Sequence, residues 1–316
     1  MCLCLFTLAL GSAEAKWHKQ NATIMGTNIY VEVWAENETQ GQLALKTALA
    51  EMERINQLMS PYISSSELSL INEQAGKTPF VISDEMFELL DKAVKISELT
   101  KGAFDITFAS VGYLYNYKEG QRPDDETIDS LLNAIDYKHI QLNDKERTVY
   151  FLNDKVKIDL GGIAKGHAVD NAISLLERMG ILNALVTAGG DTRLLGDRRG
   201  KPWIVGIRDP RNRDKQAVLL PMQDSAMSTS GDYERYFEED GQRYHHILSP
   251  KTGKSTYDVQ SVSIIGPSST FNDALSTAVF VMGLREGLGL INRIDNYDAV
   301  VMDNKRKMHY STGLQQ

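Results

Sequence analysis

Cysteine is nearly absent from this chain. Its 316 residues include two, Cys2 and Cys4, both within the first four positions. If that stretch is removed, thiolate zinc sites, iron–sulfur clusters and disulfides are all excluded. A surplus of positive charge is missing as well: 34 Lys and Arg against 42 Asp and Glu give a formal net charge of −8. Neutralising a phosphate backbone needs the opposite balance, so nucleic acid is not an expected partner. The six histidines form no H-E-x-x-H spacing and the chain has no G-x-S-x-G elbow, which excludes those hydrolase arrangements. No repeat, low-complexity block or Pro/Gly/Ser linker interrupts residues 20–316. What is present is ordinary globular material, 42% hydrophobic and 24% charged, which excludes a disordered, collagen-like or polytopic membrane chain. At this length roughly 75% of the unfolded surface can be buried, so a core needs no staples.

The first fifteen residues read differently from the rest. Leu3 to Gly11 is apolar, and Ala13-Glu14-Ala15 before Lys16 has the small-x-small form of a signal-peptidase site. A fifteen-residue helix spans only ~22 Å, short of a ~30 Å hydrocarbon layer, so a cleaved signal peptide is expected rather than an anchor. No Lys or Arg precedes the apolar run, and position 12, where a lipoprotein cysteine would be expected, is Ser. Residues 1–15 are thus read as a signal peptide and 16–316 as one domain of an exported, periplasmic protein, soluble or at the periplasmic face of the inner membrane.

Strands and amphipathic helices mix along the remainder, which predicts one compact α/β or α+β unit. Alternation predicts a strand over Thr23 to Trp34, and Leu45, Leu49, Met52, Ile55 and Met59 recur at helical spacing before Pro61. Ser83 with Asp84 and Glu85 caps a helix to about Thr100, and another runs from about Asp124 to Ile135. Val156 to Leu160 reads as a short strand entering the glycine turn 161–166 and a helix to Met179, closed by Gly180. Further strands are expected near 184–187, 203–207, 218–221, 244–248 and 259–265. A helix should open at Asp273, and a hairpin of 299–302 with 308–310 should close the chain. Strands without intervening helices favour antiparallel pairing.

Two segments stand out chemically. Gly161-Gly162-Ile163-Ala164-Lys165-Gly166 places backbone N–H groups, a helix N-terminus and one ammonium together, as an anion site requires. A turn used only for packing gives the same pattern, and neither the Walker nor the dinucleotide spacing is met. Asp273 and Thr277 lie one helical turn apart, which suits either a helix cap or a hard-cation site of oxygen ligands such as Mg²⁺. Ala188-Gly189-Gly190-Asp191 is a further glycine turn that supports a ligand or merely bends. His245 and His246 are adjacent in a strand-like run and should point to opposite faces.

Seven motifs in order resemble the ApbE family of FAD:protein FMN transferases. They are Met25-Gly26-Thr27, Ser60-Pro61-Tyr62 with Ser66-Glu67-Leu68-Ser69, Gly102 to Thr107, Asp159 to Gly166, Ala188 to Asp191, His246 to Gly253, and Asp273 to Thr277. The resemblance spans nearly all of residues 23–312. It implies a T-fold-related α+β architecture of antiparallel sheets with flanking helices. It also implies Mg²⁺-dependent transfer of FMN from FAD to a Ser or Thr hydroxyl of an acceptor redox protein, with AMP released. Met25, Tyr62, Ala103, Phe104, Asp105, Asp159, Lys165 and Ile247 would contact FAD, while Gly162, through its carbonyl, Asp273 and Thr277 would hold Mg²⁺. His246, within the family's His-x-x-x-Pro stretch, is assigned as general base, with His167 its rival. Ser249 stands where the family usually has Asp, and Phe108 to Tyr117 lacks the usual Pro and Trp. Two alternatives use the same site: a Mg²⁺-dependent FAD pyrophosphatase, and an exported flavin-binding protein without turnover. The chain lacks the acceptor pattern of Ser or Thr followed by Gly-Ala-Ser/Thr, so it reads as the modifying enzyme and not its substrate.

Overall fold

The structure is a computed structural model that describes residues 14–315. Cys2, Cys4 and the signal-peptide reading up to Ala13 lie outside the described residues. Strand β1 (Lys16–Ile24) pairs antiparallel with β2 (Thr27–Ala35). The single strand expected over Thr23 to Trp34 is therefore a hairpin. Met25 (φ 56°) and Gly26 (φ 68°) both take left-handed backbone, the two-residue turn whose twist matches that of the flanking strands.

Six more strands extend the same sheet in chain order: β3 (Ala184–Ala188), β4 (Asp191–Leu195), β5 (Ala226–Gly231), β6 (Val259–Gly266), β7 (Asp298–Asp303) and β8 (Met308–Tyr310). Every pairing is antiparallel, as expected, and the closing hairpin is present. Alternation sorts the two faces. Ile29, Val31 and Val33 of β2 are fully buried beneath helices α1 (Glu38–Met59) and α3 (Ala164–Arg178). On the other face a ribbon, Trp203–Asp209 paired with Asn212–Met222, packs Trp203, Val205 and Ile207 on Leu194, Met227 and Val300. Helix α2 (Asp84–Leu99) starts at the expected cap, with Ser83 Oγ accepting from Met86 N. The α+β reading holds.

Four elements depart from expectation. Val156 to Leu160 is extended but joins no sheet, because side chains take its backbone groups: Ile158 N donates to Asn72 Oδ1 (2.7 Å) and Asn72 Nδ2 donates to Ile158 O (2.8 Å). The helix expected to open at Asp273 is α4 (Ser269–Ile291), capped by Ser268 and broken at Gly283 (φ 77°). Asp170 of α3 accepts from the Ser269 and Thr270 amides at 3.0 and 2.9 Å, satisfying the free donors of its first turn. Asp273 is therefore in the second turn and does not cap α4. The third helix shortens to Asp125–Leu131 followed by a 3₁₀ turn, Leu132–Ala134. The strand expected to run to Leu248 stops at His245.

Candidate functional site

The first turn of α3, the start of β4 and the second turn of α4 meet at one point. Gly166 sets the approach of α3 to α4: a Cβ there would collide with the Ser269 carbonyl. With the helices this close, Lys165 Nζ lies 3.2 Å from Asp273 Oδ2 and 3.0 Å from Asp191 Oδ2. It also donates to the Gly161 carbonyl at 3.0 Å, and Gly166 N donates to Asp273 Oδ2 at 3.1 Å. Both carboxylates are buried, at 2% and 4% exposure for Asp191 and Asp273, so their charges are poorly screened. Burial, then the Asp191 charge, pushes the Asp273 carboxyl up to about 7. Burial opposes the Lys165 charge, but Asp191 and Asp273 outweigh it and raise the ammonium pKa well above the usual lysine value.

Gly162 faces this cluster. The position of a Cβ on Gly162 is 3.3 Å from the Phe104 ring and 3.3 Å from Thr277 Oγ1, so loop, aromatic wall and helix touch there. Asp159 shapes the loop, with Oδ1 accepting from Gly161 N at 2.7 Å and Oδ2 from Tyr113 OH at 3.2 Å. Asp105 caps the short turn after Phe104, accepting from Thr107 N (2.9 Å), Thr107 Oγ1 (2.6 Å) and Tyr137 N (2.8 Å). Burial raises its pKa. Ala103 precedes Phe104 in that loop, half-buried, and Met25 occupies the β1–β2 turn. Tyr62 is 85% exposed, and Ile247 is buried among Val259, Val262 and Phe280. Among the described residues, no hydrogen bond or ion pair joins these last four to the Lys165 cluster.

The histidines separate as their neighbours dictate. His245 is buried, with Nε2 at 2.5 Å from the Thr256 carbonyl. His246 is half-buried, and its buried Nδ1 has no partner among the described residues. Burial, then the charges of Arg235 and His245, hold the His246 pKa down to about 3, with Lys165 adding to the effect. His167 turns elsewhere: its Nε2 lies 2.9 Å from Glu85 Oε1, beside a cavity of about 660 Å³ between α2, α3 and α4. Apart from His167, that cavity is lined by none of the site residues expected from sequence.

Known proteins resemble this chain along most of its length. The ApbE family model matches residues 25–301. The chain belongs to the ApbE family. The FAD:protein FMN transferase of Treponema pallidum is 31% identical over 323 residues, covering 96% of this chain and 89% of that protein. The Vibrio cholerae protein of the same name is 34% identical over 277 residues, covering 84% and 81%. Among solved structures, the ApbE protein of Thermotoga maritima superposes with a TM-score of 0.88 at 33% identity, covering 95% of this chain and 98% of that one. The flavin transferase ApbE of Vibrio cholerae gives 0.84 at 26% identity, covering 96% and 99%.

In this ApbE-family chain the donor set suits a hard cation. Asp273, the Thr277 hydroxyl and the Gly162 carbonyl offer oxygen only, and a buried carboxylate pair already attracts an ammonium to the spot. Mg²⁺ takes few carboxylates and keeps its remaining positions for water or phosphate oxygens. No group of three or more His, Cys, Asp or Glu suited to a metal occurs among the described residues, which disfavours a zinc-type site. Two contributors were not singled out from sequence. Asp191 was visible only as the end of a glycine turn, and Ser230, 3.3 Å from Thr277 Oγ1, sits in β5, whose polar AMSTSG sequence gave no strand signal.

Proposed function

We propose that this chain transfers FMN from FAD to a Ser or Thr hydroxyl of an acceptor redox protein, with Mg²⁺, and releases AMP. The observation that carries this reading is the convergence of Lys165, Asp191 and Asp273 beside Thr277 and the Gly161-Gly162 turn. A flavin carrier has no use for such a charge cluster, whereas cleavage of a pyrophosphate does. Asp273, Thr277 and the Gly162 carbonyl would hold Mg²⁺, which when bound neutralises phosphate oxygens and polarises phosphorus. Lys165 supplies a fixed positive charge next to the same point. Phe104 offers an apolar wall, and the exposed Tyr62 ring is free to cover a flavin or adenine.

In the transfer, the acceptor oxygen bonds to the FMN phosphorus, the bond from that phosphorus to the bridging oxygen breaks, and AMP leaves with that oxygen. The acceptor proton passes to His246. Its ring is neutral at pH 7, so it can accept, and the phosphate charges of FAD favour the protonated ring that results. The apolar segment Leu3–Gly11 and the Ala13-Glu14-Ala15 motif support action outside the cytoplasm, on an exported acceptor.

The test is incubation of the purified chain with FAD, Mg²⁺ and a candidate acceptor carrying a Ser/Thr-Gly-Ala-Ser/Thr site. A fluorescent protein band that needs all three supports the transferase. FMN and AMP released without labelling would instead establish the pyrophosphatase. Calorimetry should show FAD binding more tightly than FMN, because the site grips both phosphates and the adenosine half; equal affinities would favour a general flavin carrier.

A further inference from the structure

Behind Thr277 runs a chain of hydroxyls whose direction follows from its one fixed end. Ser276 Oγ lies 2.8 Å from the Asp273 carbonyl oxygen, and a carbonyl only accepts, so Ser276 donates its single proton there. Ser230 Oγ lies 2.7 Å from Ser276 Oγ; with the Ser276 proton engaged, Ser230 is the donor of that bond. Ser230 Oγ is also 3.3 Å from Thr277 Oγ1, the longest link, and having no second proton it accepts from Thr277. A helical Thr commonly donates to the carbonyl three or four residues back. Here the Asp273 carbonyl is already engaged by Ser276, so Ser230 provides another outlet for the Thr277 proton.

We infer that Ser230 is a positioning residue: it takes the Thr277 proton and so leaves the Thr277 lone pairs directed at the cation beside Asp273 and Gly162. Without that acceptor, the hydroxyl hydrogen is free to turn toward the cation and oppose it. The inference rests on the reading of Asp273 and Thr277 as metal ligands. Ser228 is the internal comparison. It lies two residues earlier on the same face of β5, and its Oγ points to the Ser269 carbonyl at 3.4 Å, outside the chain of hydroxyls.

The test uses Mn²⁺ as a spectroscopic stand-in for Mg²⁺, titrated into the whole chain without FAD and followed by electron paramagnetic resonance. Ser230→Ala should weaken Mn²⁺ binding by about 10–100-fold, the usual effect of removing a partner that orients a ligand. Ser230→Thr, which keeps the hydroxyl, should restore binding to within a few-fold, and Ser228→Ala should bind as the unaltered chain does. In a Thr277→Ala background, Ser230→Ala should add little, since both remove one interaction. Undiminished Mn²⁺ binding in Ser230→Ala would overturn the inference, as would an equal loss in Ser228→Ala. The underlying metal reading fails separately, if Asp273→Asn binds Mn²⁺ as tightly as the unaltered chain.

Discussion

Lys165 is held in place by charge rather than by enclosure. Burial and the neighbouring Asp191 charge raise the Asp273 pKa against the opposing pull of the ammonium, while the two carboxylates outweigh burial and raise the pKa of Lys165. Asp273 does not cap α4, but it accepts from Gly166 N in the first turn of α3, so only a replacement that keeps an oxygen acceptor separates metal binding from that contact. Asp273→Asn keeps the shape and an oxygen able to accept from Gly166 N, but removes the charge. Turnover should fall on the order of 100-fold or more, since a charged ligand contributes several kcal/mol to such sites, with the thermal midpoint almost unmoved. Full activity in that variant would end the metal assignment. For His246 the low pKa sets the expectation: a neutral ring is present across the physiological range, so loss of activity on acidification above pH 5 should not follow its titration. His246→Ala should slow flavin transfer by at least ~10²-fold with FAD affinity largely kept, the usual lower contribution of a general base. A slowing of only a few-fold, or a parallel loss of FAD affinity, would make it a packing residue.

At the scale of elements, α1, α2 and α3 are clasped by one polar network. Arg54 of α1 bonds Glu51 at 2.7 Å and Glu85 of α2 at 2.6 Å, while Asn171 and His167 of α3 reach Glu85 at 2.9 Å each. The Arg54 guanidinium, opposed by burial and helped by His167, holds the Glu85 pKa down to about 2 from an ordinary 4.5. A depressed carboxylate pKa contributes stability that is fully present above 4.5 and disappears as pH falls through about 2. Glu85→Gln should therefore melt below the unaltered protein at pH 7, and the gap should narrow steadily between pH 4.5 and pH 2; a gap independent of pH would show that charge is not its cause. This clasp was not legible in the sequence, because its bonds between helices join residues 31 to 120 positions apart. The legible elements were those whose pattern is local: the heptad-like apolar spacing of α1, the Ser83 cap of α2, the glycine after α3 and the closing hairpin. Those that failed depended on distant partners. Asn72 keeps 156–160 out of a sheet, and Asp170 lets α4 begin four residues before Asp273. The site divided the same way. Lys165, Gly162, Asp273 and Thr277 stand out in local segments and family motifs, whereas the role of Asp191 as a countercharge to Lys165 appears only once β4 is laid beside α3.

For the whole molecule, the sheet order follows the chain order, so the N-terminal strand and the C-terminal hairpin are the opposite edges of one sheet. Insertions between consecutive strands supply the helices, the ribbon and the site loops. The N-terminal edge is therefore structural from Lys16 onward, the residue that directly follows the expected cleavage motif. β1 pairs with β2 along all nine of its residues, buries His18, and sets Trp17 edge-on against both Trp34 and Trp203 with ring centroids 5.3 Å apart. Trp203 lies in the ribbon, so Trp17 also ties the first strand to the layer on the outer face. A chain beginning at Lys16 should keep this edge and melt within about 2 °C of the full-length protein, the shift expected for a change of only roughly 1 kcal/mol in a chain this long. A chain beginning at Thr27 loses a nine-residue ladder and one partner of the tryptophan cluster, and exposes β2 as a bare edge. It should be destabilised by several kcal/mol and prone to association, measured by thermal melting and light scattering. If the chain beginning at Lys16 were destabilised as much as the one beginning at Thr27, residues 1–15 would belong to the folded unit and the signal-peptide reading would fail.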